Sequence, residues 1–487
     1  MDERRKVFNG VKSQTLVVVL LGIIDLAYFS AMSRLLTKAE FGLYAIAIAV
    51  TSILQEITSA GLGSAIIQKK NPSECFISTA FSLSLIICSF SVVLLVLLSG
   101  QLSEWLTGSD TLTYPLIILA FTMFFSIING IGRALYMREL KFLHFGAIQL
   151  SAVGLANLCG VCLAYTYRGY GVYAISIALL LNSLFMFVYL FFVRLVHIPL
   201  TISRIHIKEI ISYGGWLTAS GIVRSIYEQV DKLVTVRFLT VAQLGAYNRP
   251  AGFLASISGQ VNGIFDTILF PVLSDIQDDE RKIGRAYQKS TETVIVAAVF
   301  FSILVILGSN IIIRIFLGEQ WLSLQPVFHV IAVSVIFLFY GRIGDSFFRS
   351  LGIVKSYFFV RVIVCCSSVV LIVAGCQYGI LGLAFAVLLS RMVDNLVKIL
   401  FLRRKIAINH ADNFICIFKK CLVPLVLCGL ALPVKFYYNN VLGDILSIVL
   451  FVSFALTVVF FRPHVYGEVI NNLVNQTKSK IWIRNQR

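Results

Sequence analysis

The chain has 487 residues, of which 58% are hydrophobic and only 13% charged, with a net charge of +17 and a mean hydropathy of +0.88. Soluble domains carry about a quarter charged residues, so this composition excludes a water-facing globule. It requires an all-α polytopic membrane protein, built from helices of roughly 20 apolar residues each.

About 14 such spans are predicted in chain order, beginning near Gln14, Phe41, Phe76, Thr113, Gly146, Gly169, Ser212, Gly245, Thr291, Leu324, Tyr357, Gly379, Cys416 and Val441. The opening "MDERRKVFNGVKSQ" is charged and no small-residue cleavage site follows it, so the first span is expected to stay rather than leave as a signal peptide. The ten cysteines fall mostly inside the spans, as Cys159, Cys162, Cys365 and Cys366 do, and read as small apolar residues rather than a disulfide framework. Basic residues alternate between the two sides. Arg281, Lys282, Arg285 and Lys289 share one connection, whereas the preceding one holds only Arg237. Under the positive-inside rule both termini and the basic loops face the cytoplasm. The positive excess is then a topology signal with attraction to anionic membrane lipids, not a nucleic-acid footprint. The outer connections are short, so function falls to the membrane bundle itself. Leu273 to Thr293 reads as an amphipathic interfacial helix.

One turn is written twice. "RLLTKAEFGLY" at Arg34–Tyr44 returns as "RFLTVAQLGAY" at Arg237–Tyr247, with six of eleven positions identical. "YGVYAISIALLL" from Tyr170 is echoed by "YGILGLAFAVLL" from Tyr378, and Gly132-Arg133 by Gly341-Arg342. Three echoes at nearly one offset imply two parallel repeats of six spans, a known transporter architecture. The expected division is an N-lobe over 1–203, a C-lobe over 204–405 and an appendage of spans 13 and 14 over 406–487.

Ionised groups at mid-bilayer cost on the order of 3 kcal/mol each, yet the spans contain several. Arg224, Glu228 and Asp231 follow i, i+4, i+7 spacing with Lys232 beside them, and Arg391, Asp394 and Lys398 form a second stripe. Asp25, Glu56, Asp266 and Arg361 add to the set. These groups must face one another or water, which places them around a central polar cavity. Asp25 and Glu228 occupy matching positions of the two repeats. Arginine in such a cavity suits a phosphate, which its planar fork can bind bidentately. Acids there can accept H⁺ or Na⁺. The same charges could also be mutually satisfied pairs that join helices, a reading that fits the Arg391–Lys398 stripe best, with Lys398 reaching toward the cytoplasmic surface. Histidines are scattered and no HExxH, CxxC or P-loop occurs, so no catalytic residue, metal or cofactor is expected.

"FGLYAIAIAVTSILQEITSAGLGSAIIQKK" after the first span, with "YGGWLTASGIV" (Tyr213–Val223), "ILFPVLSDIQDD" (Ile268–Asp279) and "FLGEQW" (Phe316–Trp321), resembles the bacterial polysaccharide transporter family. These are the Wzx-type flippases of the MATE-like MOP superfamily, and the likeness is nearest to exporters of the colanic-acid and teichuronic-acid type. The resemblance implies two six-helix lobes plus two further helices. It also implies a lipid-linked oligosaccharide on undecaprenyl pyrophosphate, moved from the cytoplasmic to the outer leaflet of the bacterial inner membrane and coupled to H⁺ or Na⁺. It brings in the polysaccharide polymerase machinery as a partner. By position, Arg224, Lys232 and Arg391 would bind the anion; Asp25 and Glu228, with Glu56, Asp231 and Asp394, would couple the ion. Two rivals stand beside this reading: a multidrug exporter of the same superfamily, and a membrane glycan polymerase or ligase.

The topology is testable by reporter or cysteine scanning. Positions Ser109, Gly318 and Asn440 should label from outside, and Lys69, Lys282 and Arg404 from inside. External labelling at Lys282 would overturn the orientation.

Overall fold

The computed structural model describes residues 2–59, 73–138, 142–193, 199–275, 279–403, 410–438 and 440–461. Lys69 and Arg404 lie outside the described residues, as does the side chain of Asp266. Each predicted span coincides with a long helix: α1 (Asp2–Leu35), α2 (Lys38–Ser59), α3 (Glu74–Thr107), α4 (Thr113–Arg138), α5 (Phe142–Thr166), α6 (Gly171–Val193), α7 (Arg204–Thr235), α8 (Val241–Asp275), α9 (Glu280–Leu307), α10 (Gln325–Ser350), α11 (Val354–Cys376), α12 (Gly379–Leu402), α13 (His410–Tyr438) and α14 (Val441–Phe461). Among the described residues, twelve helices are long and apolar enough to cross a membrane. The other two long helices are α7 and α8, and α7 carries Arg224, Glu228, Asp231 and Lys232 within three turns. Twelve of the fourteen expected crossings thus meet the length and apolarity of a membrane span among the described residues. Large apolar side chains such as Phe90, Leu97, Phe192 and Val370 stand exposed on the helix surfaces, as a bilayer-facing surface requires. Leu273–Thr293 is not a separate interfacial helix: from Glu280 onward it is the first half of α9, which runs unbroken to Leu307. Asp279 caps α9 by accepting from the backbone N–H of Arg281 and Lys282, and these bonds hold its carboxyl below the usual range.

The chain packs as two compact units. The first comprises Met1–Arg249 with Ser368–Ile380. Within it α1 packs on α5, α4 lies against α3 and α6, and α7 lies along α2. Phe76, Phe81, Ile128, Tyr136, Phe145 and Leu190 fill the space among α3 to α6. The second comprises Pro250–Ser367 with Leu381–Arg487. There α9 packs on α10 and α13, and α13 on α14. The packing division differs in kind from the division by repeat, because α7 opens the second repeat in sequence yet packs on α2.

The duplicated turn has a physical reason. Each copy begins with the same capping box. Thr37 N–H donates to Glu40 Oε2 at 2.8 Å and Glu40 N–H to Thr37 Oγ1 at 3.3 Å. In the second copy Thr240 N–H donates to Gln243 Oε1 at 2.9 Å and Gln243 N–H to Thr240 Oγ1 at 3.2 Å. The glycine that follows in each copy is packed against the other copy. A Cβ on Gly42 would lie 1.9 Å from the carbonyl oxygen of Val241, and one on Gly245 would lie 1.8 Å from that of Lys38. Val241 is the counterpart of Lys38, so the contact is reciprocal: α2 and α8 start against each other through equivalent atoms. The Gly132 and Gly341 echo behaves likewise. Gly132 on α4 meets Leu190 of α6, and Gly341 on α10 meets Asp394, Asn395 and Lys398 of α12. Repeat-equivalent helix pairs thus approach closely at the repeated glycines.

Inside the second unit, α13 and α14 are fastened by buried charge. Lys435 Nζ binds Asp444 Oδ1 at 2.8 Å, the Leu307 carbonyl at 2.7 Å and Ser309 Oγ at 2.9 Å. Asp444 also accepts from Asn310 Nδ2 and from the Ile311 N–H.

Gly245→Val should destabilise the protein by about 1–3 kcal/mol through overpacking against backbone. Gly100→Val, where a Cβ meets nothing within 4 Å, should cost far less. Thermal unfolding of both variants in the same detergent checks this; equal melting temperatures would refute the close contact.

Candidate functional site

Two polar regions contain most of the charges expected to act, and solvent access separates them. The first is a cavity of about 310 Å³ in the first unit, lined by Ser52, Gln55 and Glu56 of α2 and by Arg224, Ser225, Glu228 and Gln229 of α7. Arg224 lies between two carboxylates, with Nη2 3.5 Å from Glu56 Oε1 and Nη1 3.5 Å from Glu228 Oε1. All three side chains keep about a third of their surface exposed (33%, 32% and 37%). Gly221 makes room for one of them, since a Cβ there would sit 2.3 Å from Glu56 Oε1. Pairs this wet and this long contribute only about 0.2–1 kcal/mol. They can open without unfolding anything. Near the cavity, Lys232 Nζ donates to Gln229 Oε1 at 2.7 Å and lies 3.6 Å from Asp231 Oδ1. Tyr247 Oη donates to Asp231 Oδ2 at 3.4 Å.

The second region is dry. In the second unit Arg361 on α11 lies 2.6 Å from Asp345 Oδ2 of α10 and 3.6 Å from Asp394 Oδ1 of α12. Lys398 on α12 lies 2.8 Å from both Asp345 and Asp394. Arg361 and Lys398 are each 3% exposed. Lys398 therefore does not reach toward the cytoplasmic surface; Gly341 and Gly344 leave the space that its stem and ammonium fill. Two cations and two carboxylates balance here, and breaking such a buried set costs about 3–5 kcal/mol. Asp394 is occupied in this network, and Arg391 Nη1 donates to Ser334 Oγ at 2.7 Å nearby.

The expected site residues thus divide into three groups. Arg224, Glu56 and Glu228 share one cavity, with Asp231 and Lys232 adjoining it. Asp394 and Arg391 lie in the second unit. Asp25 sits apart on α1, facing the amide of Asn157 on α5, though that buried amide nitrogen makes no hydrogen bond of standard geometry. The repeat-related acids Asp25 and Glu228 therefore occupy different surroundings. Sequence reasoning passed over Arg249, eight residues into α8. It is buried, donates from Nε to Ser33 Oγ at 2.7 Å and from Nη2 to the Phe29 carbonyl, and stacks on Phe29 and Phe41 at 3.2 and 4.1 Å. A lone charge in "AYNRPAG" was the available signal. Asp345 and the Lys435–Asp444 pair were readable in the same way.

Helices of membrane-crossing length and a polar, charge-lined cavity in one of the packed units define the class: a polytopic helical membrane protein with an internal polar site. Residues 31–326 match the family described as "Polysaccharide biosynthesis protein", and the chain belongs to that family. It is 25% identical over 413 residues to the lipopolysaccharide biosynthesis protein WzxC of Escherichia coli (strain K12), covering 82% of this chain and 81% of that one. It is 23% identical to the teichuronic acid biosynthesis protein TuaB of Bacillus subtilis (strain 168), over 72% of this chain and 75% of that one. Its fold resembles that of the lipid II flippase MurJ in the inward closed conformation, with a TM-score of 0.71 at 16% identity, covering 91% of this chain and 98% of the other.

Lys398→Met should lower the folded yield and melting temperature sharply, because two buried carboxylates lose a cation. Arg224→Ala should shift stability by no more than about 1 kcal/mol. Comparing melting temperatures of the two variants in detergent tests the division into a buried set and a water-accessible one.

Proposed function

We propose that the protein is a flippase that moves a lipid-linked oligosaccharide, carried on undecaprenyl pyrophosphate, from the cytoplasmic to the outer leaflet of the bacterial inner membrane for surface polysaccharide assembly. The observation that carries this reading is Arg224: a guanidinium about a third exposed in a water-accessible cavity of a membrane bundle, 3.5 Å from each of two carboxylates. A cation that keeps part of its surface open to the cavity can meet a phosphate there, and its fork matches two phosphate oxygens. Family membership and the biosynthetic names of the relatives support the substrate class. The cavity's position supports the direction. Glu56 lies in the last turn of α2, about 27 Å along the helix from Lys38 at 1.5 Å per residue, on the expected cytoplasmic side.

In this reading Lys232 adds positive potential beside the cavity and Arg391 serves the second repeat. The six-span lobes alternate access as parallel repeats do. Asp25, Glu56, Glu228, Asp231 and Asp394 are the candidate groups for H⁺ or Na⁺ coupling, with Glu56 and Glu228 best placed because they touch Arg224. Polymerase machinery in the outer leaflet would receive the product. The rival with a specific observation behind it is a multidrug exporter, since two acids beside one arginine would also suit a cationic drug.

Reconstituted flipping of an undecaprenyl-pyrophosphate-linked glycan decides between them. Arg224→Ala should abolish flipping at normal protein abundance, and Arg224→Lys should restore only part of it, because a point charge replaces a bidentate fork. Full activity in Arg224→Ala, with export of cationic dyes by the wild type, would favour the rival. Asp25→Asn and Glu228→Gln should stall gradient-driven flipping in folded protein. If both respond to an imposed H⁺ or Na⁺ gradient as wild type does, neither acid couples.

A further inference from the structure

We propose that the tyrosine-rich turn between α5 and α6, with Tyr114 at the start of α4, is a carbohydrate-binding site on the expected outer side, where sugar rings of the glycan stack after crossing. The proposal rests on the reading of the protein as a glycan flippase and gives its product a resting place outside the bundle.

Exposed aromatic side chains are sorted by type. Phenylalanines such as Phe90, Phe121, Phe192 and Phe385 stand outward at several depths along the spans. Among the described residues, every exposed tyrosine and tryptophan instead lies at an expected outer helix end or in an outer turn, from Trp105 on α3 to Tyr437 and Tyr438 on α13. An aromatic belt that anchors a bundle marks both interfaces, so anchoring does not account for a one-sided set. Nor does it account for Tyr167 and Tyr170, which stand beyond the last residue of α5, Thr166, and before the first of α6, Gly171.

The densest part is "YTYRGYGVY", Tyr165 to Tyr173. Tyr165, Tyr167 and Tyr170 are 64%, 64% and 62% exposed. The rings of Tyr170 and Tyr173 have centroids 5.9 Å apart, a separation on the scale of one sugar ring, and Tyr173 interacts electrostatically with the exposed Tyr114. Arg168 lies 5.7 Å over the ring of Tyr165. The backbone beneath them is held. Gly169 adopts φ +90°, a left-handed conformation that favours glycine. Tyr167 N–H donates to the Leu163 carbonyl at 2.9 Å and Tyr170 N–H to the Tyr167 carbonyl at 3.2 Å. Gly171 N–H donates to Glu40 Oε1 at 2.6 Å, so the capping box of α2 also seats the start of α6. Tyrosines carried on a fixed turn lose little freedom on binding.

The turn itself does not require so many tyrosines. In the second repeat Tyr378 and Gly379 keep the places of Tyr170 and Gly171, but Val373, Gly375 and Leu381 stand where the first has Tyr165, Tyr167 and Tyr173. Gly379 also has a positive φ, +71°. One tyrosine and the glycine thus suffice to reverse the chain, and the additional rings belong to the first repeat alone.

Chemistry selects the occupant. The electron-rich face of a tyrosine ring meets the C–H face of a sugar, and its hydroxyl donates to or accepts from sugar hydroxyls. Arg168 adds N–H donors and the one charge of Tyr165–Tyr173, so the turn complements sugar oxygens, those of acidic sugars included. The one aliphatic side chain of the stretch, Val172, is buried, which leaves no aliphatic anchor for a protein partner. Several stacks along one oligosaccharide reinforce each other through effective concentration.

The probe is an oligosaccharide cut from the producing cell's own surface polysaccharide, free of lipid and pyrophosphate. Its binding to full-length protein in nanodiscs is followed by saturation-transfer NMR, which gives the affinity and the sugar protons in contact. Wild type should saturate ring C–H protons. Tyr165→Ala/Tyr167→Ala/Tyr170→Ala should bind roughly tenfold more weakly or worse. The matching triple Phe variant keeps the stacking faces and loses the hydroxyls, and should fall between. Phe192→Ala, an exposed ring away from the turn, should bind as wild type does. No binding by wild type, equal binding by the triple Ala variant, or a Phe variant no tighter than the Ala variant would overturn the inference. Equal binding with a lower melting temperature in lipid would assign the rings to anchoring and overturn it likewise. Flipping of the lipid-linked glycan by the same preparations would in those cases leave the flippase reading intact. Tyrosine-dependent binding by a wild type that flips nothing would overturn the flippase reading and leave the carbohydrate site.

Discussion

Every charge placed within a bilayer must be matched by another charge, by a ring of dipoles or by water, and the choice among these sorts the polar groups of this chain. Arg361, Asp345, Lys398 and Asp394 are matched by each other in the dry interior of the second unit. Lys435 and Asp444 are matched with backbone help. Arg249 is matched by a hydroxyl, a carbonyl and two aromatic faces, with no carboxylate among its described contacts. The Arg224 group combines opposed charges with water access in a cavity. Dry sets are too costly to open during a transport cycle, whereas wet ones are cheap to rearrange. Rearrangement is therefore cheapest where the electrostatics are weakest.

Much of the fold was legible in residue order. Apolar runs were the signal for the long helices, because a membrane span must be predominantly apolar, and twelve of them meet that requirement among the described residues. The echoes were legible because the constraint behind them is local: a capping box needs Thr followed three residues later by Glu or Gln, and a backbone-to-backbone approach needs glycine. What could not be read was which charges meet. Arg224, Glu228, Asp231 and Lys232 share a helix stripe, so their grouping follows from spacing. The pairing of Arg224 with Glu56, or of Arg361 with Asp345, joins different helices and depends on packing that spacing does not encode. Asp25 illustrates the limit. It matches Glu228 in repeat position, yet its neighbour is an asparagine, because the α1–α5 surroundings are not those of α2–α7.

The departures from expectation share a cause. Lys398 was expected to extend toward water because lysine stems are long and flexible, but Gly341 and Gly344 open a slot that holds it beside two acids. In the first repeat the equivalent slot beside Gly132 is filled by Leu190. One geometry thus accepts either an apolar side chain or a cation with its counter-ions. Sequence alone could not say which role the lysine had taken.

The reciprocal seating of Gly42 and Gly245 has a consequence for descent. A contact in which each partner presents the same atoms to the other is the kind found at an isologous interface between two identical chains. A chain of half this length, carrying one copy of the turn, could have made it by pairing with itself. Fusion of two such chains would leave the contact in place and free the remainder of each half to diverge, as the glutamate in one capping box and the glutamine in the other already have.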